Sequence, residues 1–344
     1  MFWVICVAFA AAATARSCGR LATMKNLVTF GDSITDDGRI AYFQQHMKFP
    51  PPGTIVPIAQ EAATGGATWG RFVANATGAN YNNYAFSGAT CSKDIVERYV
   101  PGLGIAFPTI LEQEVPAFEA DLGFDTLYPN RKADNTVYAI MIGANDLGIS
   151  GYLSDSQAPG STVRGFVDCV WDILDKLYAS GGRSFVVMNV IPLEITPLYK
   201  SVGKGGLEFS TLFPTKPDIN STLYEQRIFQ STSSANDLFS IGGPFHLKLK
   251  NRWPGATLAI FDTNRLFRDI YANPEKFFGP QANVDGVYQF CQSSDVASCT
   301  RASEPKSNFM WFDELHPSER TSEIIAQSFI DTIQGNSSYA TYWR

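Results

Sequence analysis

Apolar and polar positions alternate along this chain on two rhythms. Short, nearly continuous runs of β-branched and aromatic residues fall at 27–30, 136–142, 185–190 and 257–261, with a weaker one at 81–86. Runs without polar interruption suit strands buried on both faces. Between them the period lengthens. Residues 163–178 place Phe166, Val167, Val170, Ile173, Leu174 and Leu177 on one helical face and stop at Gly181-Gly182. Residues 264–271 and 318–333 read as further helices. So does 109–122, although Pro116 interrupts it. Strands alternating with helices predict an α/β fold with a central, mostly parallel five-stranded sheet and helices on both faces.

Residues 49–66, rich in Pro and Gly, and 199–220, rich in Gly, Ser, Thr and Pro, break the alternation. Long irregular segments in a compact domain often serve as lids or binding loops. Composition shifts nowhere as it would at a linker, so residues 16–344 are expected to form a single domain. The first residues read differently. Phe2 opens an apolar run that is too short to span a bilayer and ends in Ala13-Thr14-Ala15, just before Arg16. That is a signal-peptide pattern for residues 1–15, although no Lys or Arg precedes the run. The protein is therefore expected to be secreted, without a transmembrane segment.

The remaining composition narrows the class. With 344 residues, 45% hydrophobic and 17% charged, the chain can bury a full core. A net charge of -6 without a basic cluster argues against nucleic acid as a partner. Asn75, Asn220 and Asn336 each head a glycosylation triplet, in keeping with export. Cys291 and Cys299 flank a short polar stretch and suit a disulfide. Cys91 and Cys169 can be read as small buried apolar residues. The partners of Cys18, Cys91 and Cys169 stay open. No CxxC pair suggests a metal, and no cofactor is implied.

Ligands of parallel α/β sheets sit beyond the carboxyl ends of the strands. Gly31-Asp32-Ser33 follows the first strand, Ser87-Gly88-Ala89-Thr90 the second and Gly143-Ala144-Asn145-Asp146 the third. Asp313-Glu314-Leu315-His316-Pro317 precedes the last helix. These residues meet the needs of acyl transfer. A serine hydroxyl needs a base, and His316 titrates nearest neutral pH. Asp313, three residues earlier, can reach the imidazole N–H and fix its tautomer. The N–H groups of Ser33 and Gly88 and the amide of Asn145 could stabilise an oxyanion. Asp32 reads as a loop or capping residue, and His46 and His246 as structural. Trp69, Trp311 and Phe312 could line the substrate site or simply pack in the core.

Phe30-Gly31-Asp32-Ser33, Asn83 to Thr90, Ile142 to Asp146 and Trp311 to Pro317 resemble, in order, the first, second, third and fifth blocks of the SGNH, or GDSL, hydrolases. The resemblance runs from about residue 30 to about residue 333. Within the family the chain is similar to fungal acetylesterases of carbohydrate esterase family sixteen and to plant GDSL esterases. The resemblance implies a three-layer α/β/α, flavodoxin-like fold, no metal, and hydrolysis of carboxylic esters. The chain is expected to act as a monomer. The second residue after Thr35 departs from the family: Asp37 stands where relatives often carry Thr. The substrate is expected to be an acetyl ester on carbohydrate. A lipase or lysophospholipase taking longer acyl chains is the alternative. A non-catalytic sugar-binding protein on this fold would not need Ser33, Asn145, Asp313 and His316 together. A dinuclear phosphoesterase would need more ligands than three scattered histidines offer. An α/β-hydrolase would need Gly-x-Ser-x-Gly, which is absent.

Overall fold

The computed structural model describes residues 21–100, 102–293 and 296–344. The expected signal peptide and Cys18 lie outside the described residues. The sheet is built from β1 (Asn26–Gly31), β2 (Asn80–Asn83), β3 (Thr136–Met141), β4 (Ser184–Met188) and β5 (Thr257–Phe261), the five runs read from the sequence. Their spatial order is β2, β1, β3, β4, β5, all parallel. The chain leaves β1 toward β2 on one side and returns to β3 on the other. The carboxyl ends of β1 and β3 therefore flank the crevice where such sheets bind ligands.

Register explains the two layers of helices. Val28, Tyr138 and Phe185 pair across neighbouring strands, so their side chains share one face. There Phe30, Tyr138 and Phe118 of α3 (Val115–Asp121) pack edge-on, beside α5 (Val163–Ala179) and α6 (Ser221–Pro244). The other face holds Phe261 against Phe329, which also touches Trp69. Those rings belong to α9 (Glu319–Gln334) and α2 (Trp69–Thr77). Polar caps set the helix starts: Thr162 accepts from Gly165 N–H, Asn220 from Leu223 N–H and Ser318 from Thr321 N–H. The shorter helices are α1 (Arg39–His46), α4 (Ala144–Leu147), α7 (Thr263–Ala272) and α8 (Pro274–Phe278).

Three expectations need correction. Among the described residues the sheet has six strands rather than five, because a four-residue strand at 340–343 pairs antiparallel with β5. An edge strand needs only one partner and one buried face, so so short a segment has no readable periodicity. Residues 109–122 are not one α-helix. A π-turn at Ile110–Glu114 leads into α3, with Pro116 in its first turn. Proline cannot donate to the carbonyl four residues back, and the wider turn accommodates it. Cys91 and Cys169 are not separate apolar fillers; they form a disulfide that closes 78 residues of sequence. In the chain-entropy model a loop of that length stabilises by roughly 4 kcal/mol.

Four short strands support the last motif. β6 (Asn283–Val287) pairs with β9 (Phe309–Trp311), and β7 (Gln289–Cys291) pairs with β8 (Cys299–Arg301). The expected Cys291–Cys299 disulfide clips the second pair. The edge strand on β5 completes the series as β10 (Ala340–Trp343). Among the described residues no helix is long and apolar enough to cross a membrane.

Candidate active site

Ser33 stands just past the carboxyl end of β1. The chain turns there because Thr35 and Asp36 N–H both donate to the Asp32 carbonyl, while Ile34 N–H donates to the Asp32 carboxylate. Asp32 thus caps its own turn, as expected. Gly31 has φ of +150°, and a Cβ there would lie 2.1 Å from the Met141 carbonyl on β3. Only glycine lets the strands run side by side into this turn.

His316 reaches Ser33 from the other end of the chain. Its Nε2 lies 2.7 Å from Ser33 Oγ, and its Nδ1 lies 2.8 Å from Asp313 Oδ2. Asp313 Oδ1 also accepts the backbone N–H groups of Leu315 and His316, at 2.9 and 2.8 Å. The carboxylate is therefore held at three points. The turn closes on itself through Phe312 N–H to the His316 carbonyl and through a bridge between Trp311 and Pro317. Ser33 and His316 are each 9% exposed. Burial alone would lower the His316 pKa, but the Asp313 charge and hydrogen bond, helped by Asp32 and Glu314, raise it. Asp313 shows the reverse: burial would raise its pKa, and His316 with the two N–H groups holds it low. A neutral His316 with its proton on Nδ1, facing Asp313, leaves Nε2 free to take the Ser33 proton.

The Ser87–Gly88 turn arrives from the end of β2. Phe86 N–H donates to the Gly31 carbonyl, which joins this motif to the serine motif. Gly88 has φ of +91°, and Phe107 occupies the space a side chain would need, 2.6 Å from an added Cβ. Among the described residues, neither Ser33 N–H nor Gly88 N–H meets a protein acceptor. Asn145, half-buried in α4, directs one amide proton at the Ala89 carbonyl at 2.9 Å. That bond fixes the amide beside the Gly88 turn, and the group has a second proton to give. The five residues named from the motifs are thus gathered at one switch point.

Several supports escaped the sequence reading. Buried Glu114, from the π-turn, accepts Gly31 N–H with one oxygen and Phe86 N–H with the other. It clamps the first two motifs together, and burial pushes its pKa up. Asp36 accepts the N–H and hydroxyl of Ser87 and also caps α1 through Gly38, Arg39 and Ile40. Asp37, the departure from the family pattern, pairs with Arg71 at 2.7 Å and accepts from Asn83. Asp146 accepts Cys91 N–H, and burial raises its pKa to about 7. Apart from the cap on α1, these contacts join residues 28 to 83 positions apart, so no local spacing announces them.

The substrate-lining expectations fare worse. Trp69 and Trp311 are fully buried. Trp69 donates to Thr35 Oγ1, and Trp311 donates to the Val284 carbonyl and packs on Phe267. Phe312 is also buried, beside Tyr288 and against Gly65. Trp69 and Trp311 pack the frame, and Phe312 packs beside the turn that carries His316. The 199–220 segment is tied down near the site: Ser210 and Thr211 hydroxyls donate to Glu314, and Lys216 donates to the carbonyls of Pro197, Leu198 and Lys200. His246 packs between Trp171 and Trp253, and His46 is exposed beside Tyr42. Asn75, Asn220 and Asn336 are exposed.

A family model described as GDSL-like Lipase/Acylhydrolase matches residues 27–329. An acetylesterase of Hypocrea jecorina is 40% identical over 320 residues, 93% of this chain and 91% of that one. An acetylesterase of Thermothelomyces thermophilus is 25% identical, covering 91% and 89%. A solved acetylxylan esterase of Geobacillus stearothermophilus aligns at a TM-score of 0.37 and 15% identity, covering 91% and 96%, too loosely to argue from. On the family match and the Hypocrea likeness, the chain belongs to the GDSL-like lipase/acylhydrolase family, and it is a carboxylic ester hydrolase.

Proposed function

We propose that the protein removes acetyl or other short acyl groups from carbohydrate, with Ser33 as nucleophile. Ser33 Oγ bonds to the ester carbonyl carbon while His316 Nε2 takes the hydroxyl proton. Asp313 holds the imidazole and stabilises the imidazolium that forms. Ser33 and Gly88 N–H and the Asn145 amide receive the negative charge on the carbonyl oxygen. The intermediate collapses: the carbon–oxygen bond to the sugar breaks, and the sugar oxygen leaves with the proton from His316. Water then attacks the acyl-enzyme and gives a proton to His316; as the bond from the acyl carbon to Ser33 Oγ breaks, His316 returns that proton to Oγ, releasing the acid and the free Ser33 hydroxyl.

The observation that carries this reading is the Ser33, His316 and Asp313 relay, with contacts of 2.7 and 2.8 Å. The acetyl preference is supported by the two fungal relatives named acetylesterases. Residues 1–15 are proposed to direct export and be removed, leaving one catalytic domain from residue 16 that works outside the cell. Two disulfides suit that oxidising compartment. The substrate reading is tested by comparing kcat/KM on chromogenic esters of rising chain length and on acetylated xylo-oligosaccharides. A maximum at acetyl, with acetate released from the oligosaccharides, supports it. A maximum at eight or more carbons overturns it in favour of a lipase.

A further inference from the structure

Arg98 lies in the segment between the Gly88 turn and the π-turn. Its Nη1 donates to the Gly88 carbonyl at 2.5 Å, and its guanidinium sits 4.9 Å from the centre of the Phe107 ring. Phe107 is the same ring that closes the space beside Gly88 Cα. Gly88, Phe107 and Arg98 thus form one packed unit. Among the described residues, no carboxylate pairs with Arg98 at ion-pair distance. Its charge is nevertheless felt by Asp32 and Asp146, the neighbours of Ser33 and Asn145.

That placement is a poor stability device. A half-buried guanidinium without a carboxylate pays desolvation and recovers one hydrogen bond. It is a good positioning device. Glycine has the freest backbone of any residue, so a donor presented by a glycine turn needs outside support to stay aimed. An oxyanion donor helps only if its direction is fixed before the reaction. Asn145 holds the next carbonyl, that of Ala89, and Asp36 holds Ser87. Arg98 supplies the missing restraint on Gly88 itself.

We propose that Arg98 is a positioning residue for ester hydrolysis: it fixes the Gly88 turn so that its N–H meets the developing oxyanion, and it adds a positive charge on that side. The proposal rests on the reading of Gly88 as an oxyanion donor. Arginine suits the task because it stays charged at any working pH and its fork is rigid. Loss of alignment should slow the chemical step and leave ground-state binding almost intact.

The test uses Arg98→Met, Arg98→Lys and Gly88→Ala in the full secreted chain. Active sites are counted by phosphonate titration, so that misfolded protein does not enter kcat. Arg98→Met should lower kcat about 10- to 100-fold, with KM within about threefold. Arg98→Lys should recover part of the loss, because an ammonium can still donate to the Gly88 carbonyl. In an Asn145→Ala background, Arg98→Met should cost less than it does alone, since both serve one charge. Normal kcat per titrated site in Arg98→Met overturns the proposal, as does a loss confined to KM, which would make Arg98 a substrate contact. Gly88→Ala keeps the backbone N–H but displaces the turn against Phe107, so a folded variant with unchanged kcat would show that the turn's position does not matter and would overturn the proposal. Asn145→Ala separates the two readings: an intact kcat there removes the oxyanion site from this turn and sinks the reading on which the proposal rests.

Discussion

Two polar regions lie along the carboxyl edge of the same sheet. One is the crevice at the ends of β1 and β3, with Ser33, Gly88, Asn145 and His316. The other is a cleft of about 570 Å³ at the ends of β4 and β5, lined by Asn189, Asp262, Asn264, Asn236 and Arg268 among others. By volume and polarity the cleft is the more obvious ligand site. Its hydrogen bonds say otherwise. Asn189 donates to Asp262, Asn236 brackets the Val190 peptide, and Asn264 accepts from Arg268 while donating to Val190. Those groups are absorbed in joining α6 and α7 to the strand ends. In the crevice, two backbone N–H groups and one amide proton meet no protein acceptor among the described residues, beside an aligned serine and imidazole. Unmatched donors next to a serine hydrogen-bonded to an imidazole point to chemistry better than empty volume does.

Substitutions can break that contrast, and the largest effect belongs to the crevice. Ser33→Ala should cut ester hydrolysis by about 10⁴-fold or more while the melting temperature stays close to that of the native protein. An active, folded variant would move the nucleophile elsewhere. Asn145→Ala comes next, with kcat lowered about 100- to 1,000-fold and KM little changed. A simple turn-capping asparagine would instead show a lower melting temperature with kcat preserved.

The pH profile sharpens the comparison without deleting a group. Only neutral His316 can accept the serine proton, and its pKa is raised above the ordinary 6.5, because the Asp313 interactions outweigh burial. Activity should therefore fall as pH drops, with the midpoint of kcat/KM above that ordinary value. Asp313→Asn removes the raising charge and should move the midpoint to lower pH, together with a loss of kcat. A midpoint that ignores Asp313→Asn would uncouple the pair. The smallest effect is expected in the cleft: Asp237→Ala, on its exposed rim, should leave kcat and KM within about twofold on small esters. A large loss there would give the cleft a part in catalysis.

Much of this arrangement was legible in the sequence because it follows local rules. Strands buried on both faces print as unbroken apolar runs, and β1, β3, β4 and β5 lie within a residue or two of those runs. β2 was displaced because its four residues, Asn-Tyr-Asn-Asn, are mostly polar and half-buried. Ser33, Gly88, Asn145, Asp313 and His316 were readable because each follows a strand or precedes a helix in a distinctive motif. What joins the motifs was not readable. Glu114 binds groups 83 and 28 positions away, and Arg98 touches a carbonyl that could belong to any turn. Cys91 and Cys169 look like apolar fillers until the fold brings α5 to the Gly88 turn. The tryptophans misled for the opposite reason. An aromatic near a motif can face substrate or core, and only the packed structure assigns Trp69 and Trp311 to the core.

The most direct test of Ser33 as the nucleophile is to map the adduct of a serine-directed phosphonate. The inhibited protein is digested and each hydroxyl residue is examined by mass spectrometry. Attack by Ser33 predicts one phosphonate per chain, on Ser33, formed more slowly as pH falls and His316 becomes protonated. An adduct on another residue with Ser33 unmodified, or full inhibition without any adduct, would contradict it.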